Sequence, residues 1–116
     1  MARTMAELSD SILLAADAIP PGRVSTYGAI ADYLALGAAR MVGWALNNSF
    51  SGDGVPAHRV VNRKGELSGR NHWPTPTMMQ EMLEQEGVKV KDNIVQEFDV
   101  LFWHPAEALG EEFEPF

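Results

Sequence analysis

One side chain with the chemistry to move a proton near neutral pH is His58. His58 lies in the segment Val55-Pro56-Ala57-His58-Arg59-Val60-Val61. A histidine steered by a carboxylate acts as a general base, and it needs a group to deprotonate. The chain has no cysteine, which removes thiol catalysis and disulfides together. Water is then the group such a pair could act on, so one reading is a hydrolase, for instance a glycosylase. A second set of residues suits contact with phosphates or purines: Ser25, Thr26, Tyr27, Arg40 and Arg70. A phenol or hydroxyl can reach a phosphate oxygen, while a guanidinium can pair with phosphate or lie over a purine face.

At 116 residues the chain is expected to form one domain over residues 1–105, followed by a flexible acidic tail over 106–116. An apolar fraction of 46% excludes a disordered chain. No apolar run is long enough to span a bilayer, and the N-terminus lacks a secretory pattern, so cytoplasm is the default location. No cofactor, metal or membrane partner is implied, and a monomer is the default. The net charge of −7 argues at first against a nucleic-acid partner. Its distribution softens that objection. Between residues 20 and 75 six cations face three acids, leaving +3, and the remainder carries −10. Such a patch predicts weak, salt-sensitive binding.

The elements that must position these residues follow from periodicity. Met5, Leu8, Ile12, Ala15, Ala16 and Ile19 recur at helical spacing, and Pro20-Pro21-Gly22 ends that helix. Ser25 or Thr26 caps a short helix carrying Ile30, Ala31 and Leu34, with a turn at Leu36-Gly37. A second short helix starts at Ala38 or Ala39, with Val42, Ala45 and Leu46 inward. This reads as a helix-turn-helix. The polar stretch Asn47 to Val55 is a loop, Arg59 to Asn62 a strand, and Arg63-Lys64-Gly65 turns it back on Glu66-Leu67-Ser68 as a hairpin wing. Pro76 suits the first turn of a helix with a Met78, Met79, Met82 and Leu83 stripe, ended by Gly87. Val88–Val90 and Glu97–Val100 alternate as a two-stranded ribbon would, and Phe102 to Pro105 packs back on the body. The expected class is mainly α with a small β component, a winged helix-turn-helix-like DNA-binding domain.

Three ordered blocks carry a family resemblance over roughly residues 6–105. Val24-Ser25-Thr26-Tyr27-Gly28 with Ile30-Ala31 resembles the start of the helix-turn-helix of O6-alkylguanine-DNA alkyltransferases. Ala39-Arg40-Met41-Val42-Gly43 resembles their recognition helix. Pro56-Ala57-His58-Arg59-Val60-Val61 matches their reactive segment, except that Ala57 stands where the family has its nucleophilic Cys. Leu67-Ser68-Gly69 and Leu83-Glu84-Gln85-Glu86-Gly87 are weaker matches downstream. The chain thus resembles the alkyltransferase-like proteins, in which Ala or Trp replaces that Cys.

The resemblance implies a role for each residue. Tyr27 would rotate a phosphate as the damaged nucleotide leaves the stack, and Arg40, with Ala39 beside it, would enter the minor groove and fill the gap. Pro56, Ala57, Val60, Ser68 and Arg70 would form the lesion pocket, Arg70 lying over the base or on a phosphate. Leu67 replaces a family Tyr, and Trp44, beside Gly43, is expected to pack inside. Asn47 or Asn48 would be the hinge. His58 and Glu86 correspond to the relay that activates the Cys, and without a thiol they would hold the pocket loop. A methyl at Ala57 cannot accept an alkyl group, and the room it leaves suggests tolerance of bulky substituents. The implied partner is double-stranded DNA containing O6-alkylguanine, recognised without catalysis and passed to nucleotide excision repair proteins. A winged-helix transcriptional regulator is the binding-class alternative.

Overall fold

The computed structural model describes residues 4–37, 39–47 and 54–109. Helix α1, Met5–Asp17, starts on a reciprocal cap. Thr4 Oγ1 accepts from the Glu7 N–H at 3.1 Å, and Glu7 Oε2 accepts from the Thr4 N–H at 3.3 Å. Two donors that a helix start would leave orphaned are thereby satisfied. Strand β1, Ser25–Thr26, leads directly into α2, Tyr27–Tyr33. Thr26 is the cap between them, its Oγ1 accepting from the Ala29 N–H at 2.9 Å. The turn comes slightly earlier than expected. Ala35 takes the left-handed φ of 56°, and the Leu36 N–H closes on the Ala31 carbonyl at 2.8 Å. Helix α3, Arg40–Asn47, then packs on α1 and α2.

These three helices bury one core. Ile12, Ala15, Ala16, Ile19, Ile30, Ala31, Val42, Ala45 and Leu46 pack together with Ala57, Val60 and Trp103. Each buried isoleucine in such a cluster contributes about 2 kcal/mol relative to exposure. A second cluster joins Val24, Val61 and Leu67 to Met79 and Leu83 of α4, Met78–Gln85. Pro76 precedes the α4 cap, Thr77, instead of entering the first turn. Gly87, at φ 87°, closes the helix as its sequence position suggests.

Strand β2, Val60–Val61, does not form the expected hairpin wing. It pairs in parallel with β1, Ser25 opposite Val60 and Thr26 opposite Val61. The turn at 62–66 does close, through the Asn62 N–H on the Glu66 carbonyl at 3.1 Å. Glu66 then bridges Ile94 rather than β2. The ribbon also differs. It joins β3, Val90–Lys91, to β4, Ile94–Val95, while Phe98–Leu101 is a helical turn, α5. Asp92 and Asn93 both take positive φ, 54° and 63°, which is the geometry a two-residue hairpin loop needs. Phe102 to Pro105 does pack back, since the Trp103 N–H donates to the Val24 carbonyl at 2.8 Å and Trp103 is buried. A further helix, α6, Ala106–Leu109, begins where the acidic tail was expected. Of the loop expected from Asn47 to Val55, Asn47 is the last residue of α3 and residues 48–53 lie outside the described residues, as do Ala38, Asn48 as a hinge candidate and the residues beyond Leu109. Among the described residues no helix is long and apolar enough to cross a membrane.

Candidate nucleic-acid interface

The helix-turn-helix places Tyr27 at the first position of α2 and Arg40 at the first position of α3. Arg40 is exposed, whereas Tyr27 is half-buried. The Tyr27 hydroxyl hydrogen-bonds Ser68, and burial pushes its pKa up, so the phenol keeps its proton. This pairing needs the glycine that follows Ser68. A Cβ on Gly69 would lie 2.8 Å from the Tyr27 oxygen, inside any ordinary contact. Gly43 on α3 approaches the other side of the ring, 3.9 Å from a notional Cβ.

Tyr27, Arg40 and Ser68 therefore share one groove of about 480 Å³. Its α3 wall is Ala39, Arg40, Gly43, Trp44 and Asn47; its opposite wall is Ser68, Gly69 and His72. Asn47 Nδ2 lies 3.3 Å from His72 Nε2 and bridges the two walls. On the other side of Tyr27 a second hollow of about 440 Å³ is lined by Gly28, Arg63 and Lys64 among others. The sequence missed Asn47, Gly69 and His72 as groove residues. Spacing from Arg40 could have found Asn47, seven residues on along the same helical face; nothing in the sequence pointed to His72.

Several expected site residues sit elsewhere. Ser25 is 0% exposed and its hydroxyl has no hydrogen-bond partner among the described residues, and Thr26 is spent on capping α2. The Ser25 side chain offers no surface to DNA, and Thr26 keeps 7%, beside Arg63 in a shallow hollow. Val60 is 0% exposed within the core, so it cannot line an open pocket. Pro56 is also buried, and Ala57 keeps 7% of its surface. Leu67, at the family's Tyr position, is a core residue at 0%. Arg70 is half-buried, its Nη1 donating to the Leu67 carbonyl at 3.0 Å. Trp44 is the opposite correction: it is 49% exposed, not packed inside.

The reactive-like segment forms one 3-10 turn, Ala57–Arg59, ahead of β2. His58 Nε2 lies 2.8 Å from Glu86 Oε2. Arg59 reaches the same carboxylate through Nη2 at 2.7 Å and Nε at 3.0 Å, and donates from Nη1 to the Ile19 carbonyl at 2.8 Å. The Gly22 N–H adds a bond at 3.2 Å. Burial pushes the Glu86 carboxyl up, but hydrogen bonds from Arg59, His58 and Gly22 outweigh it and hold it at about 2. Burial pushes His58 down, against the opposing pull of Glu86. A neutral imidazole beside an ionised carboxylate must carry its proton on Nε2. Nδ1 is then a buried lone pair without a hydrogen-bond partner among the described residues. The relay is complete, and the residue before it ends in a methyl group.

Two cations of the basic patch are thereby engaged within the protein. Arg59 holds the relay, and Arg23 donates to the Leu101 and Phe102 carbonyls at 3.0 and 2.7 Å and lies 3.6 Å from Glu107. Arg40, Arg63 and Lys64 are the exposed cations of that stretch. No cluster of three metal-ligating residues occurs among the described residues.

Residues 7–88 match the family described as 6-O-methylguanine DNA methyltransferase, DNA binding domain. The chain belongs to this family. Its relatives in the 6-O-methylguanine DNA methyltransferase family include alkyltransferase-like protein 1 of Schizosaccharomyces pombe, 36% identical over 75% of this chain and 85% of that protein. A DNA base-flipping protein of Vibrio parahaemolyticus is 42% identical over 64% of this chain and 73% of the relative. The fold agrees. The crystal structure of S. pombe Atl1 in complex with damaged DNA containing O6-carboxymethylguanine superposes with a TM-score of 0.80 at 32% identity. That likeness covers 89% of this chain and all of the other. Membership of this family gives the helix-turn-helix its context.

Proposed function

We propose that this protein recognises O6-alkylguanine in duplex DNA and holds it without removing the alkyl group. Arg40 would enter the minor groove from α3, and Tyr27 would press on the phosphate of the nucleotide being extruded. A pocket at Ala57, Ser68 and Arg70 would receive that nucleotide, Arg70 meeting its face or a phosphate. One observation carries the reading: a complete His58–Glu86–Arg59 relay stands beside Ala57, in a chain with no cysteine anywhere. The fold likeness to a relative held on damaged DNA supports it. The protein would act as a cytoplasmic monomer and pass the marked lesion to nucleotide excision repair proteins.

The test is a titration of matched duplexes carrying guanine or O6-methylguanine at one position. Tighter binding of the lesion is expected; equal affinities would remove the lesion reading and favour a sequence-reading regulator. A second reading rests on His58 Nδ1, which has no hydrogen-bond partner among the described residues. A neutral imidazole backed by a carboxylate is arranged as a base for water, which would make the protein a lesion-processing hydrolase. Mass spectrometry of the incubated DNA decides between them, because only that reading yields guanine or an abasic site.

A further inference from the structure

On α3 the exposed residues are Arg40, Trp44 and Asn47, while Val42, Ala45 and Leu46 face the core. The spacing i, i+4, i+7 makes the exposed three a single stripe along the helix. Asn47 is tied across the groove to His72. Arg40 begins the stripe, and the large aromatic Trp44 stands one turn further on, 49% exposed on the wall of the same groove. An indole half in water on a short helix contributes less to the core than an inward aromatic would. Its placement beside Arg40 asks for a ligand surface that is flat and partly apolar.

We propose that Trp44 is a specificity residue that packs against the minor-groove edge of a base pair flanking the lesion and disfavours a guanine there. The proposal rests on the lesion-recognition reading above. Four helical residues advance about 6 Å and one base step about 3.4 Å, so the indole reaches a pair within about two steps of the one Arg40 enters. The floor of the minor groove presents acceptors at every pair, and only a guanine adds a protruding N2 amino donor. The indole has a single N–H donor and no acceptor. It matches the acceptors, and it meets the amino group both as a steric obstacle and as donor against donor. Arg40 is a slender, flexible cation and does not carry the same restriction. Recognition of the lesion would accordingly depend on its neighbours.

The experiment uses duplexes with one O6-methylguanine flanked on both sides by A·T, G·C or inosine·C pairs. Inosine lacks the N2 amino group and otherwise keeps the pairing of guanine. Affinities are measured at one salt concentration for the wild type, Trp44→Ala and Trp44→Phe. The wild type is expected to bind A·T and inosine·C contexts alike and the G·C context at least about fivefold more weakly, the low end of discrimination at a groove edge. Trp44→Ala removes that difference and Trp44→Phe reduces it, with thermal unfolding confirming that both are folded. A wild type indifferent to the flanks overturns the proposal, as does a preference that survives in Trp44→Ala. Uniform weakening across all contexts overturns it too, because it puts the indole on the extruded base. Failure of the underlying reading looks different: guanine and O6-methylguanine would then bind equally in every context.

Discussion

Replacing Glu86 by Gln tests whether the relay now serves to hold the fold. The carboxylate collects His58 Nε2 at 2.8 Å, Arg59 Nη2 at 2.7 Å and the Gly22 N–H at 3.2 Å. It thereby ties the turn after α1, the Ala57–Arg59 turn and the end of α4 to one point. The Glu86 side chain is only 16% exposed and that of Arg59 14%, so solvent screens the pair weakly. A carboxyl held at about 2 against its ordinary 4.5 corresponds to ~3 kcal/mol in favour of the folded state. Because the folded value is the lower one, this contribution is complete above the ordinary value and is lost as pH falls through about 2. Glu86→Gln should therefore destabilise the protein by ~3 kcal/mol at pH 7 and lower the Tm by about 10 °C. The gap between wild type and variant should narrow as both are taken to pH 2 in denaturant titrations. A gap below about 0.5 kcal/mol at pH 7, or one that stays constant with pH, would refute the reasoning.

Tyr27→Ala and Arg40→Ala should each weaken binding to an O6-methylguanine duplex by about tenfold or more in fluorescence anisotropy, the loss expected for a central interface side chain; unchanged binding in both would undo the assignment of α2 and α3. Gly69→Ala places a Cβ 2.8 Å from the Tyr27 oxygen, so the phenol must leave Ser68. The protein should still fold, losing about 1 kcal/mol, while lesion affinity falls about tenfold. In an NMR titration His58 should lose its charge below the ordinary 6.5 because it is buried. Stability from this group is then complete above that value and declines as pH falls beneath it; a midpoint above 6.5 would contradict the packing.

How much was legible in the sequence depended on whether the deciding force was local. The α1 stripe, the Thr26 cap and the inward face of α3 follow from spacing and side-chain type, and the structure has them. The partner of a two-residue strand does not follow from spacing. Val60-Val61 pairs with Ser25-Thr26, 35 residues earlier in the chain, and the nearby turn made a hairpin look sufficient. Glu97–Val100 alternates like a strand, but Phe98 to Val100 are drawn into a helical turn, with Glu97 as its cap, between β4 and the Phe102 bridge. At the site, the pairing of His58 with Glu86 was legible through the resemblance. The burial of Ser25, Val60 and Leu67 was not, because a motif names a position and not its exposure. Trp44 shows the same limit from the other side: a large aromatic reads as core until the helical face it occupies is known.

The central claim is that the lesion is bound and left intact. A duplex carrying an O6-methylguanine with a radioactive methyl group can be saturated with the protein and then separated from it under denaturing conditions. The account predicts that all of the label returns with the DNA as O6-methylguanine. Label on the polypeptide, or released from the DNA as a small molecule or free base, would contradict it.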